Sequence, residues 1–239
     1  MQGEGDVDIA GFLAPPRALV LSGGIGHDFE QGCAELARLL DESGVEVDLI
    51  EDPAALSMLD HDVLVVDALW WTMQASRYEA VRSEWARSID HVARSAVERH
   101  VDGGGAILAL HTAVICFDDW PQWGEFIGAR WDWDRSSHPP IDERPVTVAV
   151  HPARHRIVDG LADFEVVDEV YGFLDLADDL VPLATSAHGG VGHPLVWTRG
   201  LPSGSRVVVD LLGHDMRSMT HPVHRELLTR SIDWLVEVR

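Results

Sequence analysis

The stretch that decides the fold is Gly103-Gly104-Gly105-Ala106-Ile107-Leu108-Ala109-Leu110-His111-Thr112-Ala113. A glycine run feeds a short apolar strand, and the strand stops on a polar residue, His111, followed by small residues. A continuous apolar run of this length, bounded by turn residues, reads as a buried strand. In an open α/β sheet, ligands bind outside the carboxyl ends of the strands, where the connections diverge. A histidine at such an end is presented to that crevice. Its structural alternative is to satisfy a backbone carbonyl at the strand end.

Upstream, the same grammar repeats. Arg17–Leu21 is a buried strand, followed by the loop Ser22-Gly23-Gly24-Ile25-Gly26-His27-Asp28. Phe29, Cys33, Leu36, Ala37 and Leu40 then recur at helical spacing, with Asp28 placed as N-cap and Gly44 as terminator. Val45–Ile50 alternates as a strand, and Val63–Val66 is a further buried one that ends in Asp67 and leads to Trp70-Trp71. Ser76-Arg77-Tyr78-Glu79 has the form of a capping box and predicts one helix running to about His100. The βαβ order predicts a parallel sheet with right-handed crossovers, hence a flavodoxin-like three-layer α/β sandwich with a mostly parallel sheet.

Downstream of His111 the rhythm changes. Trp120–Gly128 reads as a short helix closed by glycine, and Trp131–Pro145 as a polar, aromatic loop. Strands are predicted at Val146–Val150, Phe164–Val167, Leu180–Ala184, Pro194–Thr198 and Arg206–Leu212, before a final helix from Pro222. The C-terminal half is thus β-rich. Residues 1–16 read as a tail, and residues 17–239 as a single domain, since no Gly/Ser or Pro-rich linker divides them.

Composition narrows the partners. The 239 residues carry a formal net charge of -22, and all 18 basic residues are arginine. The missing lysine excludes a catalytic amine or Schiff base. So acidic a chain repels phosphate backbones and anionic lipid, which argues against nucleic-acid and membrane-surface partners. No apolar run reaches membrane-span length, and the acidic N-terminus lacks the basic region of a secretory signal, so a cytoplasmic location is the default expectation. Cys33 and Cys116 read as buried thiols rather than a disulfide or metal pair. Assembly with further copies of the chain stays open.

Thirteen histidines is a high count, and several directly follow strand runs. His27 and His111 are expected at one sheet edge. Leu211-Leu212-Gly213-His214-Asp215 adds a third strand-end histidine, with Asp215 to orient its ring or to cap. Val167-Asp168-Glu169-Val170-Tyr171 offers two carboxylates and a tyrosine. If the strand continues, Asp168 and Glu169 leave opposite faces, and only one faces a pocket. His138 lies in the long loop and His193 begins a strand; the remaining histidines, His224 among them, read as surface or capping residues. Histidines with a carboxylate suit Zn²⁺ or a similar ion, so His27, His111 and His214 are candidate ligands, although no predicted helix carries a His-x-x-x-His or His-Glu-x-x-His pair. Trp70, Trp123 and Tyr171 are candidates for stacking on sugar faces; their alternative is core packing. The Ser22–Asp28 loop matches neither the dinucleotide-binding nor the P-loop pattern.

Taken together, Leu21–Gly24 with Gly26-His27-Asp28, Gly103 through His111, Trp120–Gly128, Asp168–Tyr171, His193–Trp197 and Gly213-His214-Asp215 resemble the ThuA-like, trehalose-utilisation family of the class I glutamine amidotransferase-like superfamily. The resemblance spans roughly residues 17 to 237. It implies a flavodoxin-like fold without amidotransferase chemistry, because His111 stands at the elbow where amidotransferases carry a cysteine nucleophile, and His214-Asp215 replaces the expected His-x-Glu pair. It also implies a small-molecule carbohydrate partner: a trehalose-related disaccharide or its 3-keto derivative. His111 and Glu169 would act as acid/base residues. Asp28, Thr112, His138, His193 and Asp215 join His27, Trp70, Trp123, Tyr171 and His214 as substrate-binding candidates. The rival reading is a non-catalytic sugar-binding or regulatory module on the same fold.

Overall fold

The structure, a computed structural model, describes residues 14–237. Most of the expected tail, residues 1–13, therefore lies outside the described residues. In chain order the first half comprises β1 (Arg17–Gly24), α1 (Phe29–Glu42), β2 (Glu46–Ile50), β3 (Val63–Leu69), α2 (Glu79–Trp85), α3 (His91–Asp102) and β4 (Ala106–Leu110). The second half comprises α4 (Pro121–Ile127), β5 (Ala129–Arg130), β6 (Val146–Val150), β7 (Phe164–Val166), β8 (Asp175–Leu176), β9 (Pro182–His188), β10 (Val191–Gly200), β11 (Arg206–Asp210), α5 (Met216–Met219) and α6 (Pro222–Val236).

A nine-stranded sheet runs β2-β1-β3-β4-β11-β10-β9-β6-β7. β2, β1, β3, β4 and β11 pair in parallel, and the strands beyond β11 extend the sheet antiparallel. The parallel centre follows from composition. β3 and β4 are buried at every residue, as strands covered on both faces must be. The chain leaves β1 toward β2 through α1, then returns past β1 to β3 and on to β4. With right-handed crossovers this reversal puts α1 on one face of the sheet and α3 on the other. In keeping with this, α1 packs beside α5 and α6, while α3 packs on the 3₁₀ turn Pro53–Met58. The reversal point lies between β1 and β3, and its crevice opens at their carboxyl ends.

Local chemistry sets the details. Asp28 caps α1, accepting from the Gln31 backbone N–H, and Gly128 closes α4 in the left-handed conformation. Gly24 is needed for close approach: a Cβ there would sit 2.6 Å from the Leu69 carbonyl oxygen. Likewise a Cβ on Gly105 would overlap the His100 ring. These glycines serve strand packing and ring accommodation.

Three expectations are corrected. The helix predicted from Tyr78 to His100 is two helices, broken where Ala86 turns extended and the Arg87 N–H bonds to the Trp71 carbonyl; Asp90 then caps α3. The Ser76–Glu79 capping box is not formed, since Ser76–Tyr78 is a 3₁₀ turn without a side-chain cap. The strand predicted to Val167 ends at Val166, so Asp168 and Glu169 do not alternate across a strand; both are buried in irregular backbone. The two cysteines are buried free thiols.

Candidate active site

His111 follows β4 directly and adopts φ +40°, a left-handed conformation that costs a non-glycine residue of order 1–3 kcal/mol. Tertiary contacts hold it there. Its Nδ1 lies 2.8 Å from the Leu211 carbonyl oxygen, which can only accept, so Nδ1 carries the proton and Nε2 points the other way. On that side the Tyr171 hydroxyl is 3.1 Å away and Glu169 Oε2 3.5 Å away.

Glu169 is the hub. Oε2 also lies 3.4 Å from His214 Nδ1, and Oε1 lies 3.1 Å from His138 Nδ1, on the long loop. The His27 ring, carried past the end of β1, sits edge-on to both His111 and His214, with centroids 5.1 and 4.7 Å apart. One ligand atom each from His27, His111, Glu169 and His214 falls within a 4.8 Å span. The three strand-end loops after β1, β4 and β11 thus deliver their histidines to one point.

Asp168, the neighbour of this hub, faces the backbone instead. Its carboxylate accepts from the N–H groups of Gly213 (2.7 Å), His214 (3.3 Å) and Glu169 (2.7 Å). It thereby locks the His214 loop to the Glu169 segment. The expectation that Asp168 and Glu169 leave opposite faces of a strand, only one of them turned inward, is overturned, because the strand has ended at Val166 and both groups are buried.

The electrostatics follow from this packing. Burial opposes ionisation of Glu169, yet hydrogen bonds from His111, His138 and His214 hold its pKa far below the carboxylate range. Burial also opposes charge on His111, but Glu169, Asp168 and the Leu211 carbonyl outweigh it and raise its pKa. For His138 the Glu169 hydrogen bond dominates and raises its pKa. His27 goes the other way: burial, with His111 and His214 beside it, lowers its pKa to about 3. The cluster therefore holds a fixed anion, demands positive charge, and includes an imidazole that refuses a proton.

The donor set fits a divalent ion. Neither His27 ring nitrogen has a hydrogen-bond partner, although both are buried, and His214 Nδ1 has only the Glu169 carboxylate, 3.4 Å away. Orphaned buried nitrogens call for an explanation, and a bound ion is one. His111 is oriented by a backbone carbonyl through its other nitrogen, as metal-ligating histidines are.

Other predicted residues lie elsewhere. Thr112 is fully buried, with its hydroxyl on the Ala68 carbonyl. Trp70 and Trp123 are core residues, their indole N–H groups on the Ser22 and Ala113 carbonyls, so neither presents a face to a sugar. His193 is buried against Phe173 and His188, outside the cluster, and Asp28 and Asp215 cap helices. His224, read from sequence as a surface or capping residue, is fully buried, with Nε2 3.2 Å from Asp210. Cys116 is buried against the Ala68 carbonyl, and burial pushes its pKa up to about 12, which withholds a nucleophilic thiolate. Sequence reasoning missed Trp71, Trp133 and Trp131. Trp131 packs edge-on to Tyr171 and so joins the site wall, a contact no local pattern could signal.

Comparison with known proteins decides the relationship. The family model for trehalose utilisation, ThuA, matches residues 17–235. The chain belongs to the ThuA family. Among solved structures, this ThuA-family chain resembles a putative ThuA-like protein from Parabacteroides merdae, with 18% identity, a TM-score of 0.73, and coverage of 92% of this chain and 90% of that one. A putative ThuA-like protein from Bacteroides uniformis matches at 18% identity and TM-score 0.70, with 95% of each chain covered. A glutamine amidotransferase from Thermotoga maritima shares the fold at 10% identity and TM-score 0.55, covering 95% of this chain and all of that one. At these identities the structures speak for fold alone. A search of curated proteins finds no match.

Proposed function

We propose that this ThuA-family chain is a carbohydrate-converting enzyme acting on a trehalose-related disaccharide or its 3-keto derivative, with a divalent-metal centre formed by His27, His111, His214 and Glu169. The single observation that carries the reading is the convergence of these four donors within 4.8 Å, with orphaned imidazole nitrogens among them. The substrate class is supported by the trehalose-utilisation family. When bound, the ion supplies Lewis acidity toward a sugar carbonyl or hydroxyl oxygen. The chain's residues do the rest. Glu169 stays ionised and fixes three imidazoles around it. His138, 38% exposed and bonded to Glu169 Oε1, faces both solvent and carboxylate. Anchored by Glu169 and open to solvent, it is placed to pass a proton to a leaving or enolic oxygen. The Tyr171 hydroxyl, 3.1 Å from His111 Nε2, is a neutral donor in the same cluster.

A second reading is favoured by the direct Tyr171–His111–Glu169 contacts at 3.1 and 3.5 Å: acid/base chemistry by His111 and Glu169 themselves, without an ion. Elemental analysis of protein purified without a metal-affinity step separates the two. The metal reading expects about one equivalent of a transition metal, lost in Glu169→Gln. Protein that turns over 3-keto-disaccharide at full rate with substoichiometric metal supports acid/base chemistry instead. In either case Glu169→Gln lowers turnover by about 10²–10⁴-fold. A sugar-binding module with no turnover would bind the disaccharide and leave it unchanged by mass spectrometry.

A further inference from the structure

A second aromatic feature lies near the same sheet edge, in the segments that follow β3 and β4. Trp71, Tyr78 and Trp133 line a cleft of about 440 Å³ with Thr72, Gln74 and Asp118 at its rim. That volume is in the range of small-molecule sites. Trp71 and Trp133 are stacked and near-parallel, 24° apart with centroids at 6.2 Å, and Tyr78 stands edge-on to both. Trp133 is 40% exposed, an unusual exposure for so large an apolar ring.

A chain of ring contacts links the cleft to the histidine cluster, with Tyr171 and His111 buried at its inner end. Trp133 meets Trp131 at 6.2 Å, Trp131 meets Tyr171 at 5.3 Å, and Tyr171 stacks on His111 at 4.7 Å. Trp131 also touches the His138 ring at 6.1 Å. A two-ring ligand with one ring at Glu169 and His138 therefore has a surface on which to lay the other.

The rim chemistry decides what kind of ligand fits. An aromatic cleft beside carboxylates also suits an ammonium cation. Here that role is taken: the Arg77 guanidinium already lies over Tyr78 at 4.8 Å and faces Trp133 at 5.9 Å. The carboxylates are engaged as well. Asp118 accepts from the Thr72 N–H and hydroxyl, at 2.8 and 2.7 Å, and Asp119 pairs with Arg94 at 2.6 Å. The cleft is left with apolar ring surface, chiefly that of Trp133 since Trp71 is 4% exposed, and a polar rim whose groups are already hydrogen-bonded. A pyranose ring matches both, since its C–H face lies on an indole while its hydroxyls exchange hydrogen bonds at the rim.

We infer that the Trp71–Tyr78–Trp133 cleft is a saccharide subsite that holds the second, non-reacting ring of a disaccharide. The inference rests on the carbohydrate reading above. Remote binding of this kind positions the reacting ring.

The test measures trehalose binding by calorimetry and by saturation-transfer NMR, with wild type, Trp133→Ala and Trp133→Phe compared at matched metal content and melting temperature. The expected result is about tenfold weaker binding for Trp133→Ala, largely restored by Trp133→Phe, with saturation transfer from the protein to the sugar C–H protons reduced in the alanine variant. Wild-type affinity in Trp133→Ala overturns the subsite while leaving the carbohydrate function standing. Failure of the wild type to bind either trehalose or a 3-keto-disaccharide overturns both. Displacement of Trp133 contacts by tetramethylammonium, and not by trehalose, identifies the cleft as a cation site and overturns the saccharide assignment.

Discussion

At the scale of single residues, two adjacent carboxylates divide the work. Glu169 gathers histidines, and Asp168 gathers backbone N–H groups. An asparagine at 168 keeps the shape, but its amide NH₂ cannot accept from a second backbone donor. Asp168→Asn is therefore expected to destabilise the fold by about 1–3 kcal/mol, the cost of leaving a buried donor unpaired. It also loosens the His214 loop, so if the proposed metal centre forms, metal affinity is expected to fall by about 10–100-fold. Urea denaturation and metal titration read the two effects separately; a variant unchanged in both would show that the carboxylate does not hold the loop.

At the scale of elements, the strands carry charge into the core at a cost. Asp67 lies within β3 and is 7% exposed; burial raises its pKa from 3.8 to about 6, against a smaller lowering by His111. A carboxyl whose folded pKa exceeds its unfolded value ionises more readily in the unfolded chain. Stability thus falls as pH rises from about 4 to about 6 and stays lower above that, by about 3 kcal/mol. Asp67→Asn is expected to flatten this part of the stability–pH curve and to raise the neutral-pH melting temperature. An unchanged slope would mean that Asp67 is already ionised in the folded protein at pH 4. The break between α2 and α3 makes its own prediction. The Asp90 carboxylate accepts from the Ala93 N–H at 2.9 Å, so Asp90→Ala should cost about 1 kcal/mol of stability by chemical denaturation. Ser76→Ala should cost nothing measurable, because Ser76 caps no helix.

For the whole molecule, the net charge of -22 sets the background. Like charges repel in the compact state, and salt screens them, with a screening length of about 10 Å at 0.1 M. Raising salt from about 0.05 to about 0.5 M should raise the melting temperature of the intact chain. A falling temperature would show that the surface ion pairs, such as Arg130 with Asp175, outweigh the repulsion. Among the described residues no helix is long and apolar enough to cross a membrane. The antiparallel strands beyond β11 connect to the site from one side: the segment after β7 carries Asp168, Glu169 and Tyr171 back to the carboxyl end of the parallel strands.

The parallel centre was legible from local sequence because buried strands and amphipathic helices declare themselves through runs and periods of a few residues. So were Asp28 as cap, Gly128 as stop, the two buried thiols, and the gathering of His27, His111 and His214 at strand ends that topology places on one edge. What tertiary structure alone decided are the relations between residues distant in the chain. Glu169 meets His111 across 58 positions, and Asp168 meets Gly213 across 45. The sequence period of a strand could not predict which carboxylate turns inward once the strand had ended at Val166. Nor could composition tell the tryptophans apart. Trp70 and Trp123 share residue type with Trp133, and only packing assigns the first two to the core and the third to an open cleft. Local patterns encode which face of an element is apolar, whereas the partner that covers that face is settled by the assembled chain.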